Sequence, residues 1–132
     1  MNLNTRREQR NTIMILLYQF FLFENKNIEN IYDKEKITDE TNFINNIYEG
    51  VINQRNEIDE MANNYLTDWT IDRLGKVDQS ILRMAIYELI WTDTPPIVVI
   101  DEAIELAKLY SDDAVRKMIN SVLDKIYHNK SR

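Results

Sequence analysis

Apolar residues recur every three or four positions along most of this chain, the spacing that gathers them on one face of an α-helix. Over residues 41–53 the stripe is Phe43, Ile44, Ile47, Tyr48, Val51 and Ile52, and over 57–66 it is Ile58, Met61, Ala62, Tyr65 and Leu66. Gly50 falls inside the first of these helices, where glycine is a weak choice, so close approach of another helix is expected there. Trp69, Ile71 and Leu74 predict a short helix closed by Gly75 in a left-handed cap. Residues 77–91 differ: apart from Asp78, Gln79, Ser80, Arg83 and Glu88 the segment is apolar around its circumference, which marks the buried central element. Thr94 precedes two prolines and is driven out of the helical region, while Pro95 or Pro96 suits the first turn of a helix over 97–110. Ser111, Asp112 and Asp113 end that helix and offer an N-cap for the last one, over 114–127.

At the other end, Thr5 and Glu8 form a capping box, so the first helix starts at Arg6 and carries an apolar run over residues 13–23. Tyr18 and Gln19 interrupt that run, it is too short to span a bilayer, and it lacks a small-residue cleavage site, so it reads as a core helix. Residues 24–39 are polar and read as a surface loop. With only 2 Gly and 2 Pro and no alternation of β-branched residues between turn signals, the fold class is all-α. A chain of 132 residues, 44% apolar, fills one core, so residues 1–132 are expected to form one domain. The absence of cysteine excludes disulfides and thiolate metal sites, and the lone His128 supplies no ligand set. No cofactor is expected, and a cytoplasmic protein is the economical reading.

The net charge of −6 argues against nucleic acid until its distribution is considered. Residues 1–23 balance to +2 and residues 116–132 to +4, while residues 24–115 hold 20 acids and 8 bases, a balance of −12. If the fold joins the ends, they form one cationic patch on an anionic body; otherwise they are solubilising tails. Arg6, Arg7 and Arg10 sharpen this, because cations are disfavoured at a helix N-terminus, where the macrodipole is positive. Such placement costs about a few tenths of a kcal/mol per residue and makes sense if an anion docks there. Their spacing of three and four allows all three to project to one side, with phosphate as the natural ligand. Tyr18, two turns on, is either a core aromatic or a platform for a base.

GKVDQSILRMAIYELI, PPIVVIDEAIELAK and INSVLDKI resemble the matching segments of the NusB family of bacterial transcription antitermination factors. TRREQRNTIMILLYQF is similar to the basic first helix of that family, and WTIDRL fits the segment before its central helix. The resemblance implies about seven helices in two packed subdomains and a non-enzymatic role. It further implies binding of boxA-type single-stranded RNA together with the ribosomal protein NusE, within an RNA polymerase complex that suppresses termination during rRNA synthesis. On this resemblance Arg6, Arg7, Arg10 and Tyr18 belong to the RNA surface, joined by Lys117 and Asn120 from the last-helix motif, with Arg116 adding charge beside them. That motif departs from the usual Ser-x-Lys-Phe-Val-Asn-Gly, since Val115, Met118 and Ser121 replace Ser, Phe and Gly. Loss of a stacking aromatic there predicts RNA binding that is weak and salt-sensitive alone and strengthened by NusE. Asp78 matches an acidic position that faces the ribosomal partner, with Glu88 and Asp101 on nearby elements, and an acidic midsection suits a basic ribosomal protein.

Two rivals belong beside this reading. A NusB-like module of the kind fused ahead of rRNA cytosine methyltransferases shares the fold, but a chain ending at Arg132 with no methyl-donor site argues against it. An enzyme using Asp101, Glu102 and Glu105 lacks a nucleophile, a partner base, a glycine-rich loop and a metal ligand. A protein-interaction module with weakened RNA binding, and self-association into a homodimer, both stay open.

Overall fold

Thr5 opens the first helix as its sequence predicts: its Oγ1 accepts from the backbone N–H of Glu8 at 3.1 Å. A computed structural model describes residues 5–23 and 42–130, so the stretch read as a loop over residues 24–39 lies outside the described residues. Among those described are six α-helices: α1 (Arg6–Phe23), α2 (Asn42–Asn53), α3 (Arg55–Tyr65), α4 (Lys76–Trp91), α5 (Pro96–Tyr110) and α6 (Asp113–Lys130). A single 3-10 turn, Ile71–Arg73, precedes α4. Pro96 sits in the first turn of α5, and Asp112 Oδ1 accepts from the Val115 N–H at 2.8 Å to cap α6.

The near-uniform apolarity of α4 is explained by its place. It packs against α1, α2, α3, α5 and α6, which form a ring in the order α1, α2, α3, α6, α5, and α5 is bridged back to α1 by side chains. Ile81, Leu82, Met84, Ala85, Ile86 and Leu89 of α4 are buried together with Ile13 and Leu17 of α1, Ile47 and Val51 of α2, and Ile119 and Leu123 of α6. Even Gln79, Ser80, Arg83 and Glu88 of α4 are buried. Gln79 Nε2 donates to the carbonyls of Asp72 at 3.3 Å and Leu74 at 2.7 Å, tying the 3-10 turn to the helix.

The close approach expected at Gly50 is made by α4: a Cβ there would overlap the ring of Tyr87, which stacks on Trp91 at 5.4 Å. Gly50→Ala is therefore expected to destabilise the protein by about 1–3 kcal/mol despite the gain in helix propensity. In a Tyr87→Ala background the overlap disappears, and the same substitution should stabilise by about 0.5–1 kcal/mol. Urea denaturation of the four proteins tests this, and an unchanged sign would remove the contact from the explanation.

Gly75 behaves differently from expectation. It is not a left-handed cap but the N-cap of α4, with φ −57° and ψ 151°. The turn before it is so short that the chain must already be extended at Gly75 to enter α4. The left-handed backbone occurs instead at Asp68, φ 65°, a residue type that tolerates it. Trp69 is half exposed and lies outside the short helix predicted around it.

Candidate nucleic-acid interface

The three arginines of the first turns of α1 do not share one side. Arg10 turns inward: its Nε and Nη2 donate to Glu88 Oε1 and Oε2 at 2.9 and 2.5 Å, and the two residues are only 5% and 1% exposed. Arg6 lies over the Phe43 ring of α2, its Cζ 4.2 Å from the centroid, and donates from Nη1 to Gln9 at 2.6 Å. Arg7 points the other way, to α5, where it pairs with Glu102 at 3.1 Å. Hydrogen bonding to Glu102, then the charge of that carboxylate, raises the Arg7 pKa above its ordinary value. Spacing of three and four fixed which residues were neighbours on α1, but the helices flanking α1 determined which neighbour turned in.

Arg10 and Glu88, read from sequence as members of two different surfaces, are thus each other's partner. Arg6 and Arg7 remain exposed, and Tyr18 is half-buried three turns beyond Arg7 on the same helical stripe. On α6, Lys117 and Asn120 are exposed, and Arg116 is partly buried with Asp113 at 3.5 Å. Val115 and Met118, where the motif departs from its usual form, pack against the core and line a groove of about 250 Å³ with Trp69, Leu74 and Asp78.

Whether the basic termini meet has a two-part answer. Arg10 at Glu88 and Phe21 beneath Arg83 show that α1 runs antiparallel to α4, so the start of α1 lies at the carboxyl end of α4. Lys130 reaches the same end and donates to the Leu89 carbonyl at 2.8 Å, where the helix dipole favours a cation. Arg116 and Lys117 belong to the opposite end, on the turn of α6 whose Val115 and Met118 share a groove with Asp78, which accepts a hydrogen bond from the Ser111 hydroxyl at the α5–α6 junction. About 15 Å of α4 separates the two clusters, from the helical rise over its length between Asp78 and Glu88. Tyr110, from the last turn of α5, links the sides by donating to Asn11 of α1 at 2.9 Å.

Of the acidic candidates, Asp78 is partly buried, Asp101 is exposed on α5, and Glu88 is enclosed. Two contributors escaped the sequence reading. In the sequence Phe43 is one member of an apolar stripe and Glu102 a carboxylate without catalytic company; nothing in one sequence pairs either with an arginine on α1. Among the described residues no cluster of three or more His, Asp or Glu is placed to hold a metal, and no helix is long and apolar enough to cross a membrane.

A model of the NusB family matches residues 7–128 of this chain. The chain belongs to the NusB family. The transcription antitermination protein NusB of Campylobacter jejuni is 44% identical over 129 residues, spanning 96% of this chain and 98% of its own. NusB of Macrococcus caseolyticus is 36% identical, with 96% of this chain and 99% of its own length covered. Among solved structures, T. maritima NusB superposes with a TM-score of 0.78 at 31% identity, covering 94% of this chain and 91% of its own. The antitermination factors NusB and NusE in complex with double-stranded RNA give a TM-score of 0.75 at 28% identity over 94% of this chain and 96% of that one. The all-α fold and the non-enzymatic, antitermination character expected from the sequence are those of this family.

Proposed function

We propose that this protein binds boxA-type single-stranded RNA jointly with the ribosomal protein NusE, in the RNA polymerase complex that sustains rRNA transcription in the cytoplasm. The observation that carries the reading is the pair of exposed guanidiniums, Arg6 and Arg7, at an N-terminal helix turn whose dipole also favours an anion. The solved relative held with NusE and double-stranded RNA supports the same two classes of partner. Arg6, Arg7 and Tyr18 then form one half of the RNA surface, and Arg116, Lys117 and Asn120 the other, with Asp78 and Asp101 turned to NusE. Arg10 and Glu88 serve by fixing α1 on α4, which sets where Arg6 and Arg7 point.

Fluorescence anisotropy of labelled boxA-type RNA, with and without NusE, tests this. The Arg6→Ala/Arg7→Ala protein is expected to lose on the order of tenfold in affinity, and its log–log salt slope should flatten by about 0.7 to 1.4, for one phosphate contact at Arg6 and one at Arg7 that Glu102 offsets in part. Arg10 is left out of that variant because its removal would strand Glu88. Association with NusE but no RNA binding in either condition would leave a protein-interaction module instead.

A further inference from the structure

Arg7 is held by a carboxylate in the geometry that a phosphate would take. Its Nε and Nη2 donate to Glu102 Oε2 and Oε1 at 3.1 and 3.2 Å, the two-point fork that a guanidinium also offers to phosphate oxygens. The Arg7 side chain is 66% exposed and that of Glu102 only 20%, so the cation faces solvent while the carboxylate is backed by α5. Asp101 and Glu105 line the same shallow depression. Glu105 is already engaged by Lys108 at 3.1 Å, which leaves Glu102 as the direct partner of Arg7.

We propose that Glu102 sets the RNA affinity of this surface, its carboxylate competing with an incoming backbone phosphate for the Arg7 guanidinium. The proposal rests on the reading that α1 contacts RNA phosphates. An exposed ion pair is weak, so the exchange is easy, but the carboxylate left behind repels the phosphate that replaced it. The field of Glu102 and Glu105 at Arg7, seen in its raised pKa, is the same field that opposes an approaching anion. Because a phosphate contact carries no sequence information, the competition acts equally on every RNA that reaches Arg7.

The test uses the full chain as wild type, Glu102→Gln, Arg7→Ala and the double variant, titrated into a labelled boxA-type RNA and a scrambled RNA of equal length. Glu102→Gln should bind both RNAs about two- to fivefold more tightly, the range of an exposed ion pair. Its log–log salt slope should steepen by about 0.7, one further uncompensated charge on a single strand. In the Arg7→Ala background the gain should vanish. Weaker or unchanged binding by Glu102→Gln, with Arg7→Ala impaired, overturns the competition and leaves the RNA reading standing. A gain that survives Arg7→Ala overturns it as well, by showing a general charge effect. Wild-type affinity in Arg7→Ala overturns both the competition and the placing of RNA on Arg7. Glutamine keeps the side chain's shape, and circular dichroism confirms that all four proteins are folded.

Discussion

Glu88→Ala is expected to lower the stability of this protein by about 3–5 kcal/mol, the usual result of removing one member of a buried ion pair. The Arg10 guanidinium is almost fully desolvated, and its bonds to Glu88 at 2.9 and 2.5 Å compensate its burial. Removing the carboxylate leaves a charge that water cannot reach, so the loss exceeds what the pair contributes over an apolar substitute. Calorimetry should show the melting temperature falling on the order of 10 °C or more. Replacing both residues, as Arg10→Met/Glu88→Met, should recover most of the loss, because both desolvation penalties vanish together. A loss below about 1 kcal/mol in the single variant would mean that the pair is wet in solution. The double variant also tests whether the pair matters for RNA: a clear loss of affinity is expected if Arg10 on Glu88 sets the direction of Arg6 and Arg7, and affinity near wild type would show that the pair serves stability alone.

The second large effect is expected at Asp59. Arg83 is 2% exposed in the middle of α4, with Nε and Nη2 donating to the two carboxylate oxygens of Asp59 at 2.8 and 3.1 Å. Its Nη1 donates to Gln79 at 3.1 Å, and its guanidinium lies 4.3 Å from the Phe21 ring centroid. Asp59→Ala removes the carboxylate that faces the buried Arg83 cation, at a cost of about 2–4 kcal/mol. The side chain of Asp59 is 23% exposed, so water replaces part of what is lost and the effect should fall below that at Glu88. Denaturant unfolding measures it, and Arg83→Met/Asp59→Ala should again lie closer to wild type than Asp59→Ala alone. Equal stability of the single and double variants would show that Arg83 finds another partner.

Both expectations concern ionic pairs that join α4 to the surrounding ring, and both bear on function through placement. Without Arg10 on Glu88, the start of α1 loses its two-point ion pair to α4, and apolar contacts allow sliding and rotation that such a pair does not. The exposed Arg6 and Arg7 inherit their directions from that anchor.

How much of this was legible beforehand divides along a physical line. Periodicity located α2, α3, α4, α5 and α6 to within a few residues, because burial of one helical face leaves its mark every three or four positions. Thr5, Pro96 and Asp112 marked helix starts because capping is satisfied within a few residues of chain. The central place of α4 was visible in its all-round apolarity, and the packing at Gly50 in the absence of a side chain. Gly75 was misjudged because one glycine suits either the end of one helix or the beginning of the next, and the length of the intervening turn decides.

The sequence by itself thus determined the helices, the central element and the presence of a basic first turn, all of which depend on residues close together in the chain. Only the tertiary structure decided which arginine is buried and which two stay exposed. Arg10 meets Glu88 across 78 positions and Arg7 meets Glu102 across 95, and no local pattern encodes such a pairing. The reason is that a charged side chain is committed by the helix that packs beside it, and that neighbour exists only once the ring has closed around α4.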